Sequence, residues 1–331
     1  MNGATENMEP VLSVRGLRVA FGTPRHELLA VDGVDFDVRP GEVLGLAGES
    51  GSGKSLTLRA ILRLVKAPAR VSGQVLWRGR DVLRMTEPEV RGVRGGEIAM
   101  IFQEPMSALN PVLTVGAQIR ENLEEHTDLE GATLQARAIE LLDLVGIPAA
   151  KSRIDDYPHQ FSGGMRQRAM IAIALASNPK LLLADEPTTA LDVTIQDQIL
   201  KLILRLRREL NMSVVLVTHD LGVIAQTCDR LAVMYAGRVV EAGPVAEIFE
   251  RPRHAYTLGL LNSVPRGGAL RQPLSSIAGQ PPGLSDRPAG CAFAPRCQFV
   301  APECNTGKPP LVDIAPMHET ACLQHRKLAQ K

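Results

Sequence analysis

Eight consecutive residues, Gly48-Glu49-Ser50-Gly51-Ser52-Gly53-Lys54-Ser55, form a complete G-x-x-x-x-G-K-S loop. That spacing suits a polyphosphate: glycines let successive backbone N–H groups turn inward around an anion, Lys54 adds a cation, and the Ser55 hydroxyl supplies a magnesium ligand. Three more sets of polar residues each follow a short apolar run. Gln103 follows residues 98–102, Asp185 and Glu186 follow 181–184, and Thr218-His219-Asp220 follow 214–217. In open parallel sheets ligands sit beyond the carboxyl ends of the strands. Gln103 can there reach a magnesium ion or an attacking water, and Asp185 suits a magnesium shell. Glu186 suits a base for water, and His219 can donate to a γ-phosphate. Ser162, Gly163 and Gly164 open a helix expected to run to about Ser177, so a second helix N-terminus is made ready for an anion.

These groups need elements to hold them. The apolar run 43–47 reads as a strand buried on both faces. The helix after the loop is marked by Leu58, Ile61, Leu62 and Val65 at i, i+3, i+4, i+7. Alternations over 11–21 and 34–38 predict antiparallel strands, and 71–81 a strand pair turning at Arg78-Gly79. Phe21 is placed either to pack in the core or to return to a nucleotide base. Residues 104–111 read as a loop. Leu134, Ala138, Leu141, Leu142 and Val145 predict a helix that Thr133 can cap and Gly146 can end. A helix follows Ala190-Leu191-Asp192, with Ile195, Ile199, Leu202, Leu206 and Leu210 along one face.

A chain of 331 residues has room for one large α/β domain with an extension, or two modest domains. Lys plus Arg (37) against Asp plus Glu (36) leaves a net charge of +1, so no basic field points to nucleic acid. No run approaches the roughly 18 to 20 apolar residues a bilayer span needs, so a membrane role must come through a partner. The polar, acidic N-terminus lacks the features of a secretory signal, and a cytosolic protein is expected. Of five cysteines, Cys228 is isolated, while Cys291, Cys297, Cys304 and Cys322 have the spacing C-x5-C-x6-C-x17-C. In a reducing compartment this points to a metal before a disulfide set, with zinc and iron–sulfur both open. Arg296, Lys308 and Arg326 stand near these cysteines in sequence and could offset four thiolates.

With these residues together, the chain resembles the ATP-binding subunit of ATP-binding cassette (ABC) transporters, in the oligopeptide and dipeptide importer group. The likeness rests on the phosphate loop, a Q-loop at Gln103, a signature at Phe161 to Gln167, the strand ending in Asp185-Glu186, a D-loop at Ala190 to Asp192, and the switch His219. The flanking 103–111, 157–160 and 253–257 segments and the cysteine-bearing tail carry the subgroup. Ala255 and Arg287 depart from its usual residues.

The resemblance implies an α/β fold: a RecA-like P-loop core with an antiparallel β subdomain and a helical subdomain near 104–165. Residues 1–262 would form the ATP-binding domain and 263–331 the C-terminal extension. It implies ATP and Mg2+, with Phe21 stacking on adenine, and Ser55, Gln103 and Asp185 around the magnesium. Glu186, His219 and Gln103 would serve catalysis. Ser162, Gly163 and Gly164 would grip the γ-phosphate of the ATP held by an opposite subunit, and Asp192 of the D-loop would also serve the nucleotide, so a second ATPase subunit is required. It further implies two permease subunits, an extracytoplasmic solute-binding protein acting indirectly, and a peripheral position on the cytoplasmic face of the cell membrane. The expected activity is ATP hydrolysis driving peptide import; a nickel or other small-solute importer and a soluble non-transport ABC ATPase are the alternatives. For the four cysteines it favours a [4Fe-4S] cluster over zinc or no metal.

Overall fold

The computed structural model describes residues 9–23, 26–189, 191–263 and 276–329. They form two compact units, one of Arg39–Glu42 and Arg84–Leu216, the other of Pro10–Val38, Val43–Leu83 and Val217–Lys331.

In the second unit the strands Leu12–Thr23, His26–Val38, Arg70–Trp77 and Arg80–Asp81 make an antiparallel sheet in which the first lies between the second and third. Its expected turn is present. Arg78 (φ 47) and Gly79 (φ 78) both have positive φ, as a two-residue hairpin needs to match the right-handed strand twist. The His26–Val38 strand starts well before the expected 34, because its pairing with Leu12–Thr23 continues through shifts of register.

The same unit carries the five-residue strand Val43–Ala47, buried at every position. It runs parallel to Arg230–Tyr235, which pairs antiparallel with Arg238–Pro244. The tail then adds a hairpin, Val312–Ala315 and His318–Thr320, and its second strand pairs with Arg238–Pro244. The tail is thus joined to the sheet by backbone hydrogen bonds. Beneath it Tyr235, Tyr256 and Phe293 pack ring against ring, with centroids 4.5 to 5.4 Å apart, in a cluster with Leu231, Val233 and Ile248.

The first unit holds the strands Ser213–Val217, Leu181–Asp185 and Ile98–Ile101 in that order, the last two parallel. Its helices include Glu87–Val93, Val115–His126, Gly131–Leu144, Gly163–Leu175 and Val193–Glu209.

Three local expectations are corrected. The helix after the phosphate loop spans Lys54–Ile61 and stops before Val65, with Arg63 in the left-handed region (φ 53). Residues 104–111 include a short helix, Pro105–Ala108. Thr133 is not the cap of its helix: Glu130 holds that place and Thr133 donates its hydroxyl to the Glu130 carbonyl. Gly146 (φ 76) does stand just past the helix end, where the left-handed conformation favours glycine.

Candidate functional site

In the second unit the phosphate loop joins the Val43–Ala47 strand to the Lys54–Ile61 helix. Gly48 has φ 147, and any Cβ there would run into the Met234 carbonyl oxygen. Only glycine allows this close approach. Lys54 is buried, and its Nζ donates to the carbonyl oxygens of Gly48 (2.7 Å) and Glu49 (3.0 Å), with Ser52 Oγ at 3.4 Å. The cation is therefore folded over the loop whose amides would cradle an anion. Ser52 is buried, Ser55 partly so and Ser50 exposed, and Gly51 and Gly53 take φ 76 and 101. Phe21 lies near the end of its strand opposite Leu28, half-buried. His219 is exposed just past the Ser213–Val217 strand.

In the first unit Gln103 and the acidic pair come together. Asp185 is fully buried at the strand end. Glu186 follows in the left-handed region (φ 47), a strained backbone for a non-glycine residue and one that clusters at functional sites. Its Oε2 accepts from Gln103 Nε2 at 3.1 Å and from Thr189 Oγ1 at 2.8 Å. Thr189 was not among the sequence-derived candidates; a hydroxyl three residues after the glutamate is the signal that could have found it.

Also in this unit, Ser162 caps the Gly163–Leu175 helix by accepting from Met165 N at 3.3 Å. Ser162 and Gly163 are exposed, whereas Phe161 is 2% exposed and serves packing. A Cβ on Gly164 would come 2.9 Å from Ile195 Cγ2, so this glycine also permits close packing against the Val193–Glu209 helix. Asp192 caps that helix through Ile195 N at 3.0 Å. Ala190 lies outside the described residues.

The four tail cysteines are reduced, Cys304 buried and the others half-buried. Burial raises the Cys291 and Cys297 thiols and pushes Cys322 up to about 11. Each of these three is influenced by the charge of others in the set, so the four share one neighbourhood. Backbone N–H groups are aimed at their sulfurs: Phe293 and Ala294 at Cys291, Phe299 at Cys297, Gln324 and Ala255 at Cys322. An all-sulfur donor set with N–H donors in support is the chemistry of a thiolate-bound metal or cluster. Among the described residues, however, no three His, Cys, Asp or Glu side chains are drawn into metal-holding geometry.

Two of the three expected countercharges are engaged elsewhere. Arg296 pairs with Glu49 and Lys308 with Asp32, while the cation acting on Cys291 is Arg238.

Residues 31–189 match the model of the ABC transporter family, and 240–304 that of the oligopeptide/dipeptide transporter C-terminal region. A Brucella melitensis chain named as a peptide import ATP-binding protein is 48% identical, over 97% of this chain and 99% of its own length. The oligopeptide transport ATP-binding protein OppD of Escherichia coli K12 is 46% identical, over 97% and 95%. A dimeric ATP-binding cassette in a post-hydrolysis state, bound to ADP and Pi, superposes with TM-score 0.63 at 29% identity, covering 71% of this chain and 98% of its own. On a match of that extent, tail included, the chain belongs to the ABC transporter family, as an ATP-binding subunit with the fold of its ATPases.

Proposed function

We propose that this ATPase powers the import of di- and oligopeptides through a permease that it does not itself contain. The observation that carries the reading is the near full-length similarity to chains named for peptide import, which extends through the C-terminal region. ATP and Mg2+ are the working ligands. The phosphate loop, with Lys54, holds the polyphosphate; Ser55, Gln103 and Asp185 serve the metal, and Phe21 the adenine. Magnesium would neutralise charge on the β and γ phosphates. Glu186 takes the proton of the attacking water, Gln103 and Thr189 fix the orientation of its carboxylate, and His219 donates to the γ-phosphate.

One chain carries one phosphate loop and one signature. Two ATPase subunits would meet so that Ser162, Gly163, Gly164 and Asp192 of each complete the site of the other. The division at residue 262 between ATP-binding domain and extension belongs to the same proposal.

The permease partner would dock on the helical part of the first unit. Met106, Val112, Leu113 and Tyr157 are all exposed there, an apolar grouping beside the Gln103 loop. Met106 is held by the Arg166 guanidinium, whose Nε donates to the Pro158 carbonyl next to Tyr157. No helix among the described residues is long and apolar enough to cross a membrane, in keeping with a peripheral position on the cytoplasmic face.

For the tail we propose that Cys291, Cys297, Cys304 and Cys322 close on one [4Fe-4S] cluster, supported by their shared neighbourhood and N–H donors; zinc is the alternative occupant. The test of the function is uptake of labelled peptides into vesicles holding the permease, its binding protein and this subunit. ATP-dependent peptide uptake is expected; uptake of nickel but not peptide would replace the substrate class.

A further inference from the structure

Glu49 sets a problem for the phosphate loop, since a carboxylate within an anion cradle opposes the polyphosphate it is built to hold. Its solution lies in the tail. Both Glu49 oxygens are taken by Arg296, Nη1 to Oε2 at 2.7 Å and Nη2 to Oε1 at 2.9 Å. The Arg296 side chain is 5% exposed, and every guanidinium N–H has an acceptor. Beyond the carboxylate, Nη1 reaches Tyr235 Oη (3.3 Å), Nη2 the Ile277 carbonyl (3.4 Å) and Nε the Ala278 carbonyl (3.0 Å). Its carbon lies 5.8 Å from the Tyr235 and Phe293 ring centres. The Glu49 backbone N–H also turns to this side, donating to Tyr256 Oη at 2.7 Å.

We propose that Arg296 is a positioning residue for the nucleotide: it neutralises Glu49 and holds the carboxylate to the tail, so the C-terminal region completes the phosphate site. A planar, bidentate guanidinium suits the task, since a lysine would give charge without the two-point hold. The inference rests on the phosphate loop binding ATP, as proposed above.

Binding of Mg·ATP to the full chain tests it. Arg296→Ala should raise the Kd at least about tenfold, the scale expected when one partner of a buried ion pair is removed, and the loss should shrink at high salt. Arg296→Lys should fall between alanine and wild type. Adding Glu49→Gln to Arg296→Ala should recover most of the affinity, because the repulsive charge goes with its partner. Glu49→Gln alone, in which the guanidinium stays, should tighten binding, and this variant decides the matter even if Arg296→Ala does not fold. Unchanged affinity in Arg296→Ala, no recovery in the double variant, or weaker binding in Glu49→Gln would each overturn the proposal. Failure of the wild-type chain to bind Mg·ATP would instead overturn the nucleotide-site reading, and this inference with it.

Discussion

Gln103 Nε2 donates to Glu186 Oε2 at 3.1 Å, which ties the residue after one strand to the acid after its parallel neighbour. If Glu186 is the base proposed above, this bond would link two events: orientation of its carboxylate, and displacement of the Pro105–Ala108 segment that follows Gln103.

Gln103→Ala should therefore lower ATP-dependent uptake in reconstituted vesicles much more than it lowers ATP binding. Uptake at the wild-type rate would remove Gln103 from the coupling path.

Lys54→Ala removes a buried cation that now bonds the Gly48 and Glu49 carbonyls. Loss of a charge-assisted contact of about 1.5 to 3 kcal/mol predicts roughly 10- to 100-fold weaker Mg·ATP binding, measured by titration of the full chain.

The sequence revealed most where the pattern is short-range. The phosphate loop, the buried strands before Gln103 and Asp185, and the Ser162 helix start are all local, and the structure forms each of them where the pattern points, with the Gln103 strand ending at Ile101. The Thr86/Glu89 capping box is equally local and marks the Glu87–Val93 helix, yet an alanine- and leucine-poor segment of seven residues offers no periodicity to draw attention to it. Long-range pairings were not legible. Arg296 stands beside Cys297 in sequence, which favours a role toward the thiols, but its guanidinium is drawn 247 positions back to Glu49 by a carboxylate and two aromatic faces. Nor does the tail's composition announce that His318–Thr320 will pair with Arg238–Pro244. Three residues of strand carry too little pattern to be read.

His254 supplies a pH prediction. The ring is 2% exposed, its Nδ1 accepts from Tyr256 N, its backbone N–H donates to Glu241, and it packs near Phe293. Burial pushes its pKa down to about 3. The folded state thus disfavours the proton, and this residue's contribution is intact above the unfolded value near 6.5 and lost as pH falls below it. Between pH 7 and 5 the loss is about 2 kcal/mol. Denaturant titrations at the two pH values should show it, and His254→Asn, which keeps a capping acceptor without a titrating ring, should flatten the difference by that amount.

The cysteine proposal predicts brown protein after anaerobic purification, with iron and labile sulfide near four each per chain by the composition of the cluster. Cys297→Ser should bleach it and expose the tail to proteases, since a group that binds only the folded tail stabilises it. Colourless protein with stoichiometric zinc would put zinc in its place.

Glu186 as the base of an ATP hydrolase is the central assignment. The direct measurement is phosphate release by Glu186→Gln beside Mg·ATP binding in the same preparation, in the assembled transporter. The amide cannot accept the water proton, so binding should persist while turnover falls about 10² to 10⁴-fold; turnover near the wild-type rate would contradict the assignment.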